Sequence, residues 1–432
     1  MASPVEIIQS QTLDLPPSCV EFCPAYPDHL LVGTYNLEED EERAQGDSTR
    51  PQNRNGSVVV FRLADRKLSV NFPTFSHTPS AVLDLHFQQV SGRQNIFAVA
   101  SSTATLSIFR LEPSGAATDQ LVEPAGIVRL PGVGDEVLFL SCAWHPTVPD
   151  LVAVSTSTGA IYVVALDPLQ QPSGTPKSVL LHELEAWTVT FSPFTQQIIG
   201  DADGDAGGDA DDKEANVEGA TSARQDARLG RGPTAVTIYS GGDDSDLLYT
   251  ACVVEKSAAR ENTVALHTPY AVRKLRGHEA GVTAILPLPL TTAMGGQVVV
   301  TGSYDDHLRV YSVRDPVDDD AGGARQAKCL AEENLGGGVW RLKLISQTAS
   351  DDGRRWEAIV LASCMHAGAR VVSISADADD HCIVSVVARC EEHKSMNYGS
   401  DFQLDTSLLC VSTSFYDKLM CLWEVKNWHS PR

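Results

Sequence analysis

His366 lies in the stretch SCMHAGARV, residues 363–371, with Cys364 two positions before it. An imidazole so placed can serve as a general base, drawing a proton from water or from the Cys364 thiol, with water the preferred nucleophile. In an ideal strand two residues so spaced share a face, although a turn need not keep that relation. His393 and Tyr398, in EEHKSMNYGSDF, add a second base and a hydroxyl donor. The chain contains no GxSxG elbow and no HExxH pair, so neither a strained serine nor a zinc-bound water is indicated. Polar and aromatic candidates for binding sit in similar contexts: Trp187, Trp340, Tyr304 and Tyr416, with the carboxylates Asp244, Asp305, Asp306 and Asp417.

What must position these residues is a repeat. YSGGDDSDLLY (239–249), VTGSYDDHLRVY (300–311), ASCMHAGARVV (362–372) and STSFYDKLMCLW (412–423) superimpose without gaps as small residues, a polar turn and an alternating apolar strand. Weaker copies at LLVGTYN (30–36), FAVASSTATLSIFRL (97–111) and LVAVSTSTGAIYVVAL (151–166) bring the number to seven. Each is preceded by a strand that begins in a comparable way, among them SCVEFCP, EAWTVTFSP, GVWRLKLIS and YGSDFQLDT. A unit that cannot bury its own apolar face must stack on neighbours, so the pattern predicts an all-β, seven-bladed β-propeller of the WD40 type. Residues 6–14 are expected to close the ring beside the strand around 419–425. The propeller gathers the repeated turns at one mouth of its channel, where they would form a small-molecule or peptide site. The plainer reading is that the aromatic residues pack the blade ends.

At 432 residues and 43% hydrophobic content the chain fits one closed ring, read here as a single domain over residues 1–432. No apolar run is long enough to span a bilayer, and MASPVEIIQS lacks the pattern of a signal peptide. Ten cysteines without a CxxC pair suit a reducing compartment, so a cytoplasmic protein without a metal site or other cofactor is expected. The formal net charge is −23, which argues against direct binding of nucleic acid. Much of the acid lies in two inserts, 37–54 in blade one and 200–233 in blade four, the second expected to be disordered. Its DxDxD spacing fails as a calcium loop, with Ala206 and Asp212 where Gly and Glu are required. A monomer is expected, because a closed propeller leaves few free sheet edges.

Blade five carries the strongest WD-repeat signal. Gly277-His278 precedes its first strand and Asp305 falls in the turn, a histidine and acid that bond to one another in such repeats, so Asp305, Asp244 and Asp417 also have a structural reading. In blade six His366 replaces that acid. The blocks VEFCP, LLVGTYN, EAW, YSGGDD, GSYDDH, GGVWRLK, CMHAG and SFYDKLMCLWE resemble the WD-repeat diphthine methylesterases, formally named diphthine methyltransferases, over six of seven blades. The resemblance implies hydrolysis of the methyl ester of methylated diphthine on elongation factor 2. For that reaction the alignment of the turns offers His366 as base and Trp187, Trp340, Tyr304 and Tyr416 as a cage for the trimethylammonium group. Asp305 and Asp306 would attract that cation. Two rival classes stand beside it: a non-catalytic WD-repeat adaptor, and a methyl-lysine reader with a similar cage but no use for His366.

Overall fold

The computed structural model describes residues 3–37, 53–70, 75–76, 80–113, 121–198, 232–256, 264–318 and 326–428. The acidic inserts 37–54 and 200–233, and the disorder expected of the second, therefore lie almost wholly outside the described residues. Among the described residues, seven antiparallel sheets of four or five strands make up the blades, with one two-stranded ribbon beside them. Their innermost strands are Pro17–Phe22, Val82–Phe87, Phe139–Trp144, Ala186–Gln197, Val282–Thr291, Arg341–Ala349 and Asn397–Leu404. These match the seven strand starts read from the repeat, and each neighbours the next around a closed ring.

The last sheet holds Asn397–Leu404, Leu408–Ser414 and Leu419–Val425, and its outer strand is the N-terminal Val5–Thr12. Val5 pairs with Val425 and Thr12 with Leu419, so the first and last strands of the chain close the ring. Arg66 grips Glu424 through two hydrogen bonds of 2.8 and 2.9 Å, and Lys426 bonds Glu424 at 2.8 Å beside this seam.

The apolar core follows the repeat. Seven clusters of buried residues can be traced among the described residues, each spanning two neighbouring blades: Leu106 and Leu130 pack on Phe139 and Val154, for example, and Val20 and Leu30 on Val411 and Leu422. No blade buries its alternating face alone, which is why a sequence of weak repeats folds as one ring.

One irregularity aims the side chains of the rim. The pairing of the innermost strand with the second slips by one residue near its start in blades one, four, five and seven, among others. The residues left over are Ser18, Trp187, Thr283 and Tyr398. A bulge re-aims the extra residue. Where it is small and hydroxylic it ties to the next blade, Ser18 Oγ donating to Val82 O at 2.6 Å and Thr283 Oγ1 to Val339 O at 2.6 Å. In blades four and seven it is aromatic and faces the channel mouth.

Candidate active site

Rings from four blades meet at that mouth. Trp187, Tyr304 and Trp340 form a triangle with centroid separations of 6.2, 5.8 and 5.7 Å, and Tyr398 lies 4.8 Å from Trp340. All four are half-buried, so each keeps part of a face open. Phe415 continues the row, 5.6 Å from Tyr398 and 6.0 Å from Tyr35. Tyr416 reaches the group only through Phe415 and is 71% exposed, which places it at the outer edge of the cage expected from sequence. The carboxylate at the cage is Asp243, whose Oδ1 accepts from Trp187 Nε1 at 3.0 Å. A Cβ on Gly281 would come within 2.8 Å of Asp243 and 3.0 Å of Tyr304, so glycine there lets the acid and the ring approach. Burial pushes the Tyr304 phenol up, with Tyr398 and Asp243 adding to it, and it stays a protonated donor.

His366 is exposed at the tip of the turn in blade six. That turn is closed by Ala367 N donating to Cys364 O at 2.7 Å, with Met365 held at φ +38°. Met365 O accepts from Asn397 N at 3.0 Å, the residue before Tyr398. The glycines of LGGGVW pack against the same turn: a Cβ on Gly337 would sit 2.5 Å from Cys364 O, and one on Gly338 2.6 Å from Met365 Sδ. The blocks CMHAG and GGVWR are thus one packed unit that sets His366 beside the loop leading to Trp340.

Five candidate residues require correction. Cys364 is fully buried in the core between blades five and six, and burial pushes its thiol up to about 12, so it cannot supply a thiolate. His393 is buried too: Nε2 bonds Ser412 Oγ at 2.6 Å and Nδ1 bonds Ser414 Oγ at 3.0 Å, while Trp423 Nε1 donates to Ser412 at 3.0 Å. Burial pushes that imidazole down to about 4, and it braces blade seven. Asp417 completes this chain by accepting from Ser414 and from Lys394 N. Asp244 does the same in blade four, 3.0 Å from His182 Nδ1. Asp305 is bound by Glu279 N at 2.8 Å and by Arg309 Nη1 at 2.8 Å, while His278 turns to Thr301 at 2.9 Å instead. These three carboxylates hold turns and are spent before any cation arrives. Asp306, half-buried at φ +67°, remains on the rim.

Below the rim the channel is a cavity of 1170 Å³ lined by the innermost strands of all seven blades, and Tyr398 belongs to both rim and channel. Its wall carries an alternating ring of charge. Arg341 bonds Asp84 with both terminal nitrogens at 2.8 and 3.3 Å; His86 lies 3.3 Å from Asp84 and 2.7 Å from Glu21; Lys343 lies 3.7 Å from Glu21 and 3.0 Å from Asp401. Burial would lower the His86 pKa, but Asp84 and Glu21 outweigh it and hold the imidazolium up to about 9. Against burial, Arg341 and His86 drive Asp84 well below the usual carboxylate range.

No protein-family model matches the chain. It is 28% identical to the diphthine methyltransferase of Schizosaccharomyces pombe over 414 residues, 95% of either chain. Similar agreement extends to the diphthine methyltransferase of Saccharomyces cerevisiae, 23% identical over 97% of this chain and 98% of that one, and to that of Mus musculus, 23% identical over 96% of this chain and 74% of that one. Over almost its whole length the chain is similar to diphthine methyltransferases. Against that background the residues that sequence reading overlooked are Asp243, Phe415 and the whole charged ring. Asp243 stands one place before the turn acid Asp244, at the position Tyr304 holds in blade five, and that alignment could have found it. Nothing in the spacing of Glu21, Asp84, His86, Arg341, Lys343 and Asp401 links them before the blades close.

Proposed function

We propose that the protein acts in diphthamide biosynthesis as a methylesterase, hydrolysing the methyl ester of methylated diphthine on elongation factor 2 in the cytoplasm. The observation that carries this reading is an aromatic rim, with Asp243 against it, on the same face as the exposed His366. The open faces of Trp187, Trp340 and Tyr304 suit a trimethylammonium group, and the Asp243 carboxylate adds to the attraction. His366 takes a proton from water as its oxygen adds to the ester carbonyl. The tetrahedral oxyanion is met by a phenol hydrogen of Tyr304 or Tyr398. Collapse expels methoxide, which takes the proton back from the imidazolium and leaves as methanol, with the carboxylate free.

The test is mass spectrometry of elongation factor 2 bearing methylated diphthine after incubation with wild type, His366→Ala and Cys364→Ala. Loss of one methyl group with wild type and Cys364→Ala, and its retention with folded His366→Ala, supports the mechanism. A gain of methyl groups on unmethylated diphthine in the presence of a methyl donor, without hydrolysis, would establish transfer in the opposite direction and sink it.

A further inference from the structure

The charged ring in the channel is balanced on paper, three acids against three bases, but not in how it meets the cavity. Side-chain exposures are 20% for Arg341, 24% for Lys343 and 29% for His86, against 1% for Asp84, 7% for Glu21 and 7% for Asp401. The acids stand behind, further held by backbone groups: Phe22 N donates to Asp401 at 2.6 Å and Cys142 N to Asp84 at 3.1 Å. The bases stand in front. A guanidinium has five N–H donors, and Arg341 spends two on Asp84. A chain of net charge −23 therefore presents a cationic patch to its own central channel.

Its position matters as much as its sign. Arg341 follows Trp340 directly, and Lys343 lies two residues further along the same strand on the same side, about 7 Å deeper. Tyr398 of the rim lines the channel with them. A cation-binding rim is thus stacked on an anion-binding wall.

We infer that the channel below the aromatic rim is a carboxylate-binding site, in which Arg341, Lys343 and His86 receive the carboxylate of a ligand whose quaternary ammonium group rests on Trp187, Trp340 and Tyr304. This rests on the hydrolase reading and extends it: the wall binds the carboxylate that ester hydrolysis releases. An uncharged ester gains little from the patch, so the site favours product over substrate.

Calorimetric titration with two probes tests it. Choline has the quaternary ammonium group alone, and glycine betaine has the same group with a carboxylate. Wild type is expected to bind glycine betaine about tenfold more tightly than choline, as one charge-assisted hydrogen bond supplies. In Arg341→Gln that ratio falls towards one while the choline affinity is unchanged. Because Arg341→Gln takes the guanidinium away from Asp84, Asp84→Asn/Arg341→Gln is measured beside it, with thermal melting to verify folding. Choline bound as tightly as glycine betaine by wild type, or a betaine preference kept in both folded variants, overturns the carboxylate site and leaves the hydrolase reading intact. Failure to bind either probe together with failure to hydrolyse the ester overturns both.

Discussion

Asp243, Tyr304, Met365 and Tyr416 hold one position of the repeat in blades four to seven, and they show how unlike residues divide one task. Tyr304 supplies a ring to the cage, Asp243 a carboxylate against Trp187, Met365 a thioether packed under Gly338, and Tyr416 an exposed outer edge. Trp340 touches three other rings and is the centre of the group. Trp340→Ala should therefore raise KM for the methylated substrate by about 2- to 30-fold, the equivalent of a cation–π contact of roughly 0.5–2 kcal/mol, with kcat less affected. Steady-state kinetics on the folded variant measures it. A fall in kcat with KM unchanged would instead place Trp340 in the chemical step.

Within a blade, polar residues that look like chemistry in the sequence are used for bracing. The chain Asp417, Ser414, His393, Ser412 and Trp423 links the start of blade seven to its third strand, and His393 is its centre. His393→Ala takes one buried partner from Ser412 and one from Ser414, which keep Trp423 and Asp417, and should cost about 1–3 kcal/mol of stability, read from urea unfolding, while the folded fraction keeps its activity. The outer strand is a second element with a testable role. Removing residues 1–12 strips Leu419–Val425 of its outer partner and leaves Arg66 and Lys426 without Glu6 at the seam. An unpaired edge invites strand addition, so this variant should melt at lower temperature and associate, as light scattering would detect.

Across the whole molecule, stability is set from both sides of neutrality by histidines. His145, His278 and His393 are buried neutral, pushed down to about 3, 4 and 4 by burial. Their folded pKa values lie below the unfolded value of about 6.5, so the unfolded chain gains protons first and stability falls as pH drops below about 6.5. His86 has the opposite sign. Its folded value of about 9 exceeds the unfolded one, so its contribution is full below about pH 6.5 and is lost as pH rises towards 9. Urea midpoints measured from pH 4 to about 8.5 should peak near 6.5, and His86→Gln should remove the decline above that peak; beyond about 8.5 buried thiols such as Cys364, pushed up to about 12, add a loss of their own. A wild-type midpoint flat from 6.5 to about 8.5 would show that His86 is not held as an imidazolium. The described residues that flank the two acidic stretches lie at opposite ends of their blades: Asn36–Leu37 pairs with Arg54–Asn55 on the rim side, whereas Gln197 and Thr234 pair at the far end of blade four.

The repeat itself determined the architecture: seven alternating strands that cannot bury an apolar face alone leave no stable arrangement but a ring of blades, and the pairing of Val5–Thr12 with the last blade followed from it. The same repeat made Trp187, Tyr304, Trp340 and His366 legible, because equivalent turns share a face. Tertiary structure alone decided which polar residues were free. His393, Asp305 and Cys364 read like reagents until burial and their partners were visible, and the ring from Glu21 to Asp401 draws on four blades separated by hundreds of residues. Local spacing encodes which way a side chain faces. Whether another side chain is waiting there depends on long-range closure, which no local pattern records.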